Sequence, residues 1–403
     1  MPFVALASVV AALGAASPPP ISPAQGANAY TRYELLAPGS AKFRIVYDVT
    51  ETRAGAKAFF NPIRKGSVST DEKVTDRMTG EALTFTVVHG ADVPKAELPD
   101  AQADTDYIRV KLARPVPENG GAGRIRIEKT YQDARSYYTE GKEIVFDRTL
   151  YVKRDAVVLP KNYVLVSSNY PSQVEEEADG RIKVSFLNVT PADAPVKIRA
   201  RPVKKLAAGA SSVKERIEER AAQTRDIVYF LREPGTHAFD LCHDYTEERA
   251  GTSTYVNIVR PGSTASNPSA RNLDTGAEIP AQALKGAAIK AAGIEDPDLK
   301  EITPETEVVV FRFAALAPGH SIRLRMAETY TDPGRYKLQG DELVFDRTFG
   351  RPANTVVLPA GWVLTNSAAP AIISETADGR TRLDFLNPRT DEVSVLITAR
   401  KAR

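Results

Sequence analysis

The chain has 403 residues and is poor in the residue types that usually announce chemistry. It holds a single cysteine, Cys242, which excludes a disulfide within the chain and leaves stability to packed cores. There are four histidines, His89, His237, His243 and His320, and none stands in an HExxH pattern. A CxxC pair, a GxSxG elbow and a phosphate-binding glycine loop are also missing. The usual zinc, thiol-redox, serine-hydrolase and nucleotide signatures are therefore absent, and nothing calls for a cofactor or a metal. Neither sign of charge dominates: 53 Lys and Arg against 51 Asp and Glu give a net charge of +2. No basic stripe points to nucleic acid. Only residues 3–16 form a long apolar run, too short for the roughly 18 residues of a membrane span.

What the chain does have is a repeat. Residues 141–201 realign on 340–400 at a constant offset of 199, without a gap, and about 27 of the 61 positions are identical. Upstream, 48–55 (DVTETRAG) matches 244–251 (DYTEERAG) at an offset of 196. Each unit is domain-sized rather than solenoid-sized, so two tandem homologous domains are expected. The reading divides the chain into an export segment (1–29), a first repeat (30–202), a linker (203–226) and a second repeat (227–403). The apolar run followed by Ser17-Pro18-Pro19-Pro20 suits a signal peptide, which implies a periplasmic or secreted protein with no membrane span after cleavage.

Within the repeats the apolar period is two. Ile182, Val184 and Phe186 alternate with polar residues, as do Val196, Ile198 and Ala200. Asp179-Gly180 and Asp378-Gly379 read as hairpin turns. The predicted class is all-β, with two antiparallel β-sandwiches. Residues 211–224 (SSVKERIEERAAQT) break the pattern and predict a helical linker.

The candidate site set is the polar group common to both copies. It comprises Asp48, Glu51, Arg53, Asn61 and Arg64, matched by Asp244, Glu247, Arg249, Asn257 and Arg260. Such residues can hydrogen-bond a polar ligand, or can close a strand and a turn by bonding local amides. Tyr163 and Trp362 share a position and are candidates to stack on a sugar ring or to cap a core. Asp147-Arg148 recurs as Asp346-Arg347; neighbours on a strand face opposite ways, so each needs another partner, and Asp147→Ala is expected to destabilise. Acidic loops at Asp100, Asp104 and Asp106 and at Glu295, Asp296 and Asp298 lack the pattern of a calcium loop. Cys242 and His243 read as core residues. Together these features predict an exported, non-catalytic module that binds a protein or polysaccharide of the cell envelope. The alternatives are a glycan hydrolase built on Asp48/Glu51 or Asp244/Glu247, and a structural or chaperone-like accessory.

Overall fold

The computed structural model of the protein describes residues 29–204, 219–294, 296, 299 and 301–402. Residues 1–28 of the expected export segment (1–29) and residues 211–218 of the expected linker helix (211–224) lie outside the described residues. Of the remainder of the linker, residues 220–222 form a turn.

Alternation builds the strands. Along Ala194–Pro202, Val196, Ile198 and Ala200 are buried while Lys197 and Arg199 face outward. The DG turns close Gln173–Glu176 onto Ile182–Leu187 and Ile372–Glu375 onto Thr381–Leu386. Gly180 and Gly379 take φ of 81° and 78° there, a conformation that costs glycine nothing.

The all-β sandwich architecture is present, and each half carries one large and two small sheets. The large sheet of the first half has seven strands. In spatial order they are Gln173–Glu176, Ile182–Leu187, Arg154–Val158, Tyr30–Leu35, Lys42–Glu51, Gly123–Gln132 and Val68–Asp76. The second half repeats this order and adds an edge strand, Glu278–Ile279, to make eight. Pairing is antiparallel with one exception per large sheet. Tyr30–Leu35 runs parallel to Arg154–Val158, and Asp226–Leu231 runs parallel to Ala353–Val357. The long stretch between those strands makes the crossover that a parallel pair needs; period-two alternation is the same for either direction and could not reveal it.

A four-stranded sheet and a three-stranded sheet accompany each large sheet. Between the large and four-stranded sheets lie aromatic cores: Tyr33, Phe43, Tyr131 and Phe146 in the first half, and Tyr229, Phe239, Phe345 and Phe349 in the second. In the first half the three-stranded sheet packs on Val49, Val74, Ile125 and Ile127 through Ile108 and Val110.

The halves meet around an approximate two-fold relation. The Ala122 amide donates to the Leu273 carbonyl (2.8 Å), and the equivalent Ser321 amide donates to the Met78 carbonyl (3.0 Å). Fully buried Asp274 accepts both a 2.6 Å and a 2.8 Å bond from Arg124 of the other half. Among the described residues no helix is long and apolar enough to cross a membrane.

Candidate functional site

The shared polar residues fall into separate local arrangements. Arg126 grips Asp48 with bonds of 2.6 and 2.7 Å, and Arg325 grips Asp244 with two of 2.7 Å. Glu51 accepts from the amide (2.9 Å) and guanidinium (2.8 Å) of Arg53 in the turn that follows. Glu247 does the same for Arg249, at 2.9 and 2.7 Å. Positions three apart on a strand leave on opposite faces. Asp48 and Glu51, like Asp244 and Glu247, therefore share no face on which two acids could flank a bond.

Asn61 and Asn257 reach the middle of each sandwich, where their partners differ. Lys129 donates to Asn61 Oδ1, whereas Asn257 Nδ2 donates to Glu328. Burial pulls the Lys129 ammonium down to about 7 and pushes the Glu328 carboxyl up to about 7. Arg64 reaches Ser136 Oγ at 3.4 Å. Its counterpart Arg260 pairs with no carboxylate among the described residues.

Trp362 is buried in the core of the second half, with Lys401 over its ring, and Tyr163 packs partly buried against the first core. Asp147 is half-exposed and pairs with Lys197 at 3.1 Å. The buried partner is its neighbour: Arg148 meets Asp133 at 3.3 Å, and Arg347 meets Asp332 at 3.2 Å. The outward face of the strand carries Asp147, so Asp147→Ala loses a half-exposed pair and not a buried one.

Two clefts meet at Arg225, Tyr245, Arg249 and Arg351. One lies between the halves, about 580 Å³ in volume. Its acids are committed, Asp48 to Arg126, Glu248 to Arg77 and Glu247 to Arg249, and Arg124 is held by Asp274; Arg225 and Arg351 line this cleft as well as the next. The other, about 930 Å³, opens beside it within the second half, between Ile227, Tyr229, Leu241, His243 and Tyr245 of the large sheet and residues 254–258 of the small one. Five arginines line it: Arg225, Arg249, Arg260, Arg347 and Arg351. Arg249 and Arg347 are paired as described, and among the described residues the wall also carries the carboxylate of Asp296. Arg225 lies over the Tyr245 and Tyr255 rings, 4.5 and 5.7 Å from their centroids, and like Arg260 forms no ion pair among the described residues.

His243 is buried on this wall. Its Nδ1 lies 3.4 Å from the Tyr255 hydroxyl, and its Nε2 has no hydrogen-bond partner. Burial, then the charges of Arg225, Arg351 and Arg323, hold its pKa well below the ordinary value, so the ring is neutral. Arg347 Nε is likewise buried without a partner. Cys242 packs beside Val228, Phe230 and Val357 on the other face of the sheet, and burial pushes its thiol up to about 12. In the acidic loops, Asp104 pairs with Lys65 and Asp106 with His89, while Glu295 and Asp298 lie outside the described residues. Among the described residues no three His, Cys, Asp or Glu cluster as a metal site.

Of the shared set, this cleft gathers Arg249, Asn257 and Arg260. Seeking residues common to both copies misses the others. Arg225, His243, Tyr245, Tyr255 and Arg351 stand where the first repeat has Ala29, Tyr47, Val49, Phe59 and Val152. The signal was in the differences between the copies.

No protein-family model matches the sequence, and no curated protein matches it. Among solved structures, the chain is similar to an M1 zinc metallopeptidase from Deinococcus radiodurans, with 12% identity, 43% of this chain and 41% of that chain covered, and a TM-score of 0.29. An aminopeptidase N family protein from Idiomarina loihiensis gives 10% identity, 43% and 29% coverage, and a TM-score of 0.26. Collagen adhesin from S. aureus gives 10%, coverage of 78% and 81%, and a TM-score of 0.16. The chain thus spans less than half the length of the peptidases it matches, and scores this low carry no functional argument.

Proposed function

We propose that the protein is an exported, non-catalytic binding module and that its binding unit is the second half. The arginine-lined cleft takes an anionic ligand presented by a protein or polysaccharide of the cell envelope. The observation that carries this reading is the pair Arg225 and Arg260. Both are partly buried in the cleft wall without a carboxylate among the described residues, and Arg225 also borders the neighbouring cleft, whose acids Asp48, Glu247 and Glu248 are already paired. Even a partly buried cation is costly without a counter-charge, and a bound anion reduces that cost.

The test is retention of the full chain on immobilised acidic polysaccharide and on immobilised acidic peptide, each against a neutral control. Retention should be selective for one acidic matrix, reversed by salt, and weakened by Arg260→Gln without a change in melting temperature. Equal retention of Arg260→Gln on every matrix would sink the reading.

A further inference from the structure

We infer that the cleft of the second half is a phosphoryl-group site, with Arg225 and Arg260 as charge partners and His243 as a neutral hydrogen-bonding partner. The inference rests on the proposed binding role of this cleft and goes on to name the ligand chemistry.

Charge is the first argument. Two guanidinium groups, Arg225 and Arg260, face the cleft without carboxylate partners among the described residues. A carboxylate would neutralise one of them. A phosphoryl ester carries about −1.5 to −2 near pH 7 and offers three acceptor oxygens. Guanidinium groups match such oxygens in pairs.

Donor inventory is the second. Beyond the two guanidiniums, the cleft wall holds two buried side chains with an unpartnered nitrogen, His243 Nε2 and Arg347 Nε. When the Tyr255 hydroxyl donates to His243 Nδ1, the neutral ring carries its proton on Nε2 and offers a donor without adding charge. Buried donors left without acceptors are rare in folded chains, and both of these belong to residues that line the cleft. Burial, together with the charges of Arg347 and Arg335, lowers the Arg260 pKa, a strain that a dianion relieves.

Room is the third. At about 930 Å³ the cleft exceeds what a free ion needs, and the Tyr245 and Tyr255 rings, 5.3 Å apart, line it with an aromatic surface. That favours a phosphate attached to a ring, as in a phosphorylated sugar, over the free ion.

The experiment is titration calorimetry of the full chain with inorganic phosphate, glucose 6-phosphate and glucuronate. Both phosphates should bind, the ester more tightly, and glucuronate should be weaker by about tenfold or more. Arg260→Gln and Arg225→Gln should each weaken phosphate binding by about tenfold or more at unchanged melting temperature, as expected for losing a charge-assisted bond. Inorganic phosphate binding as tightly as the ester would keep the phosphoryl site and remove the sugar. Glucuronate binding as tightly as the ester would overturn the phosphoryl assignment while leaving an anion cleft in place. Phosphate binding unaffected by both substitutions would place the site elsewhere and remove the cleft reading too. If no probe binds, the phosphoryl inference is wrong, and the salt-sensitive retention test alone decides whether the cleft binds anions.

Discussion

At one position of the sandwich, Lys129 in the first half donates to Asn61; at the equivalent position of the second, Glu328 accepts from Asn257. The surrounding strands, the neighbouring tyrosines (Tyr131 and Tyr330) and the asparagine are the same. An amide side chain carries both a donor and an acceptor, so one scaffold residue serves a buried cation in one copy and a buried acid in the other. The same contrast runs through the cleft next to it. Where the first half packs Tyr47 and Val49 of its large sheet with Phe59 of its small one, the second places His243, Tyr245 and Tyr255 and opens a cavity. A duplicated fold keeps its scaffold contacts in both copies and is free to change what one of them holds.

The strongest test of that division concerns what the copies share. Asp332→Ala and Asp133→Ala should each cost about 3–5 kcal/mol in urea unfolding, because each strands a buried arginine. A loss in one half only would break the equivalence of the scaffolds.

Next come the buried groups that differ. Glu328 binds a proton in the folded state between its ordinary 4.5 and about 7, where the unfolded chain has released it. Its contribution therefore falls as pH rises through that window. Lys129 has the opposite sign: the folded state has lost its proton above about 7 while the unfolded chain holds it to 10.5, so stability rises with pH there. A full proton difference is worth about 1.4 kcal/mol per pH unit. Glu328→Gln should flatten the acid-side slope and Lys129→Met the alkaline one, as read by melting temperature across pH. Identical profiles for the two variants would contradict the assignment.

A smaller effect is expected at Asp155, a fully buried carboxyl with Thr31 beside it but no well-formed hydrogen bond, whose pKa burial raises well above the usual range. The second half has Asn354 here, donating to the Arg351 carbonyl at 2.9 Å. Asp155→Asn should stabilise by on the order of 1 kcal/mol at neutral pH; a lower melting temperature would show that the acid has a task its counterpart lacks. Least of all, Asp147→Ala should cost under about 1 kcal/mol, the usual worth of an exposed pair such as that with Lys197.

Much of the fold was legible in the sequence. Alternation at Val196, Ile198 and Ala200 marked an inner face, the DG pairs marked hairpins, and the neighbours Asp147 and Arg148 were rightly kept apart. Which of those two turned inward was not legible, because strand parity separates faces without naming the buried one. The parallel pair at the centre of each large sheet was hidden for the same reason. The site was less accessible still. Arg225 lies near the end of the linker and Arg351 in a loop, so only the folding of distant segments brings them to His243.

Arg124 reaches across the junction to Asp274, but the first half carries Met78 at the position equivalent to Asp274. Two copies of the first half, joined in the same way, would therefore set each Arg124 against a thioether instead of a carboxylate. The junction is thus asymmetric despite the duplication: its buried ion pair exists only where a first half meets a second half.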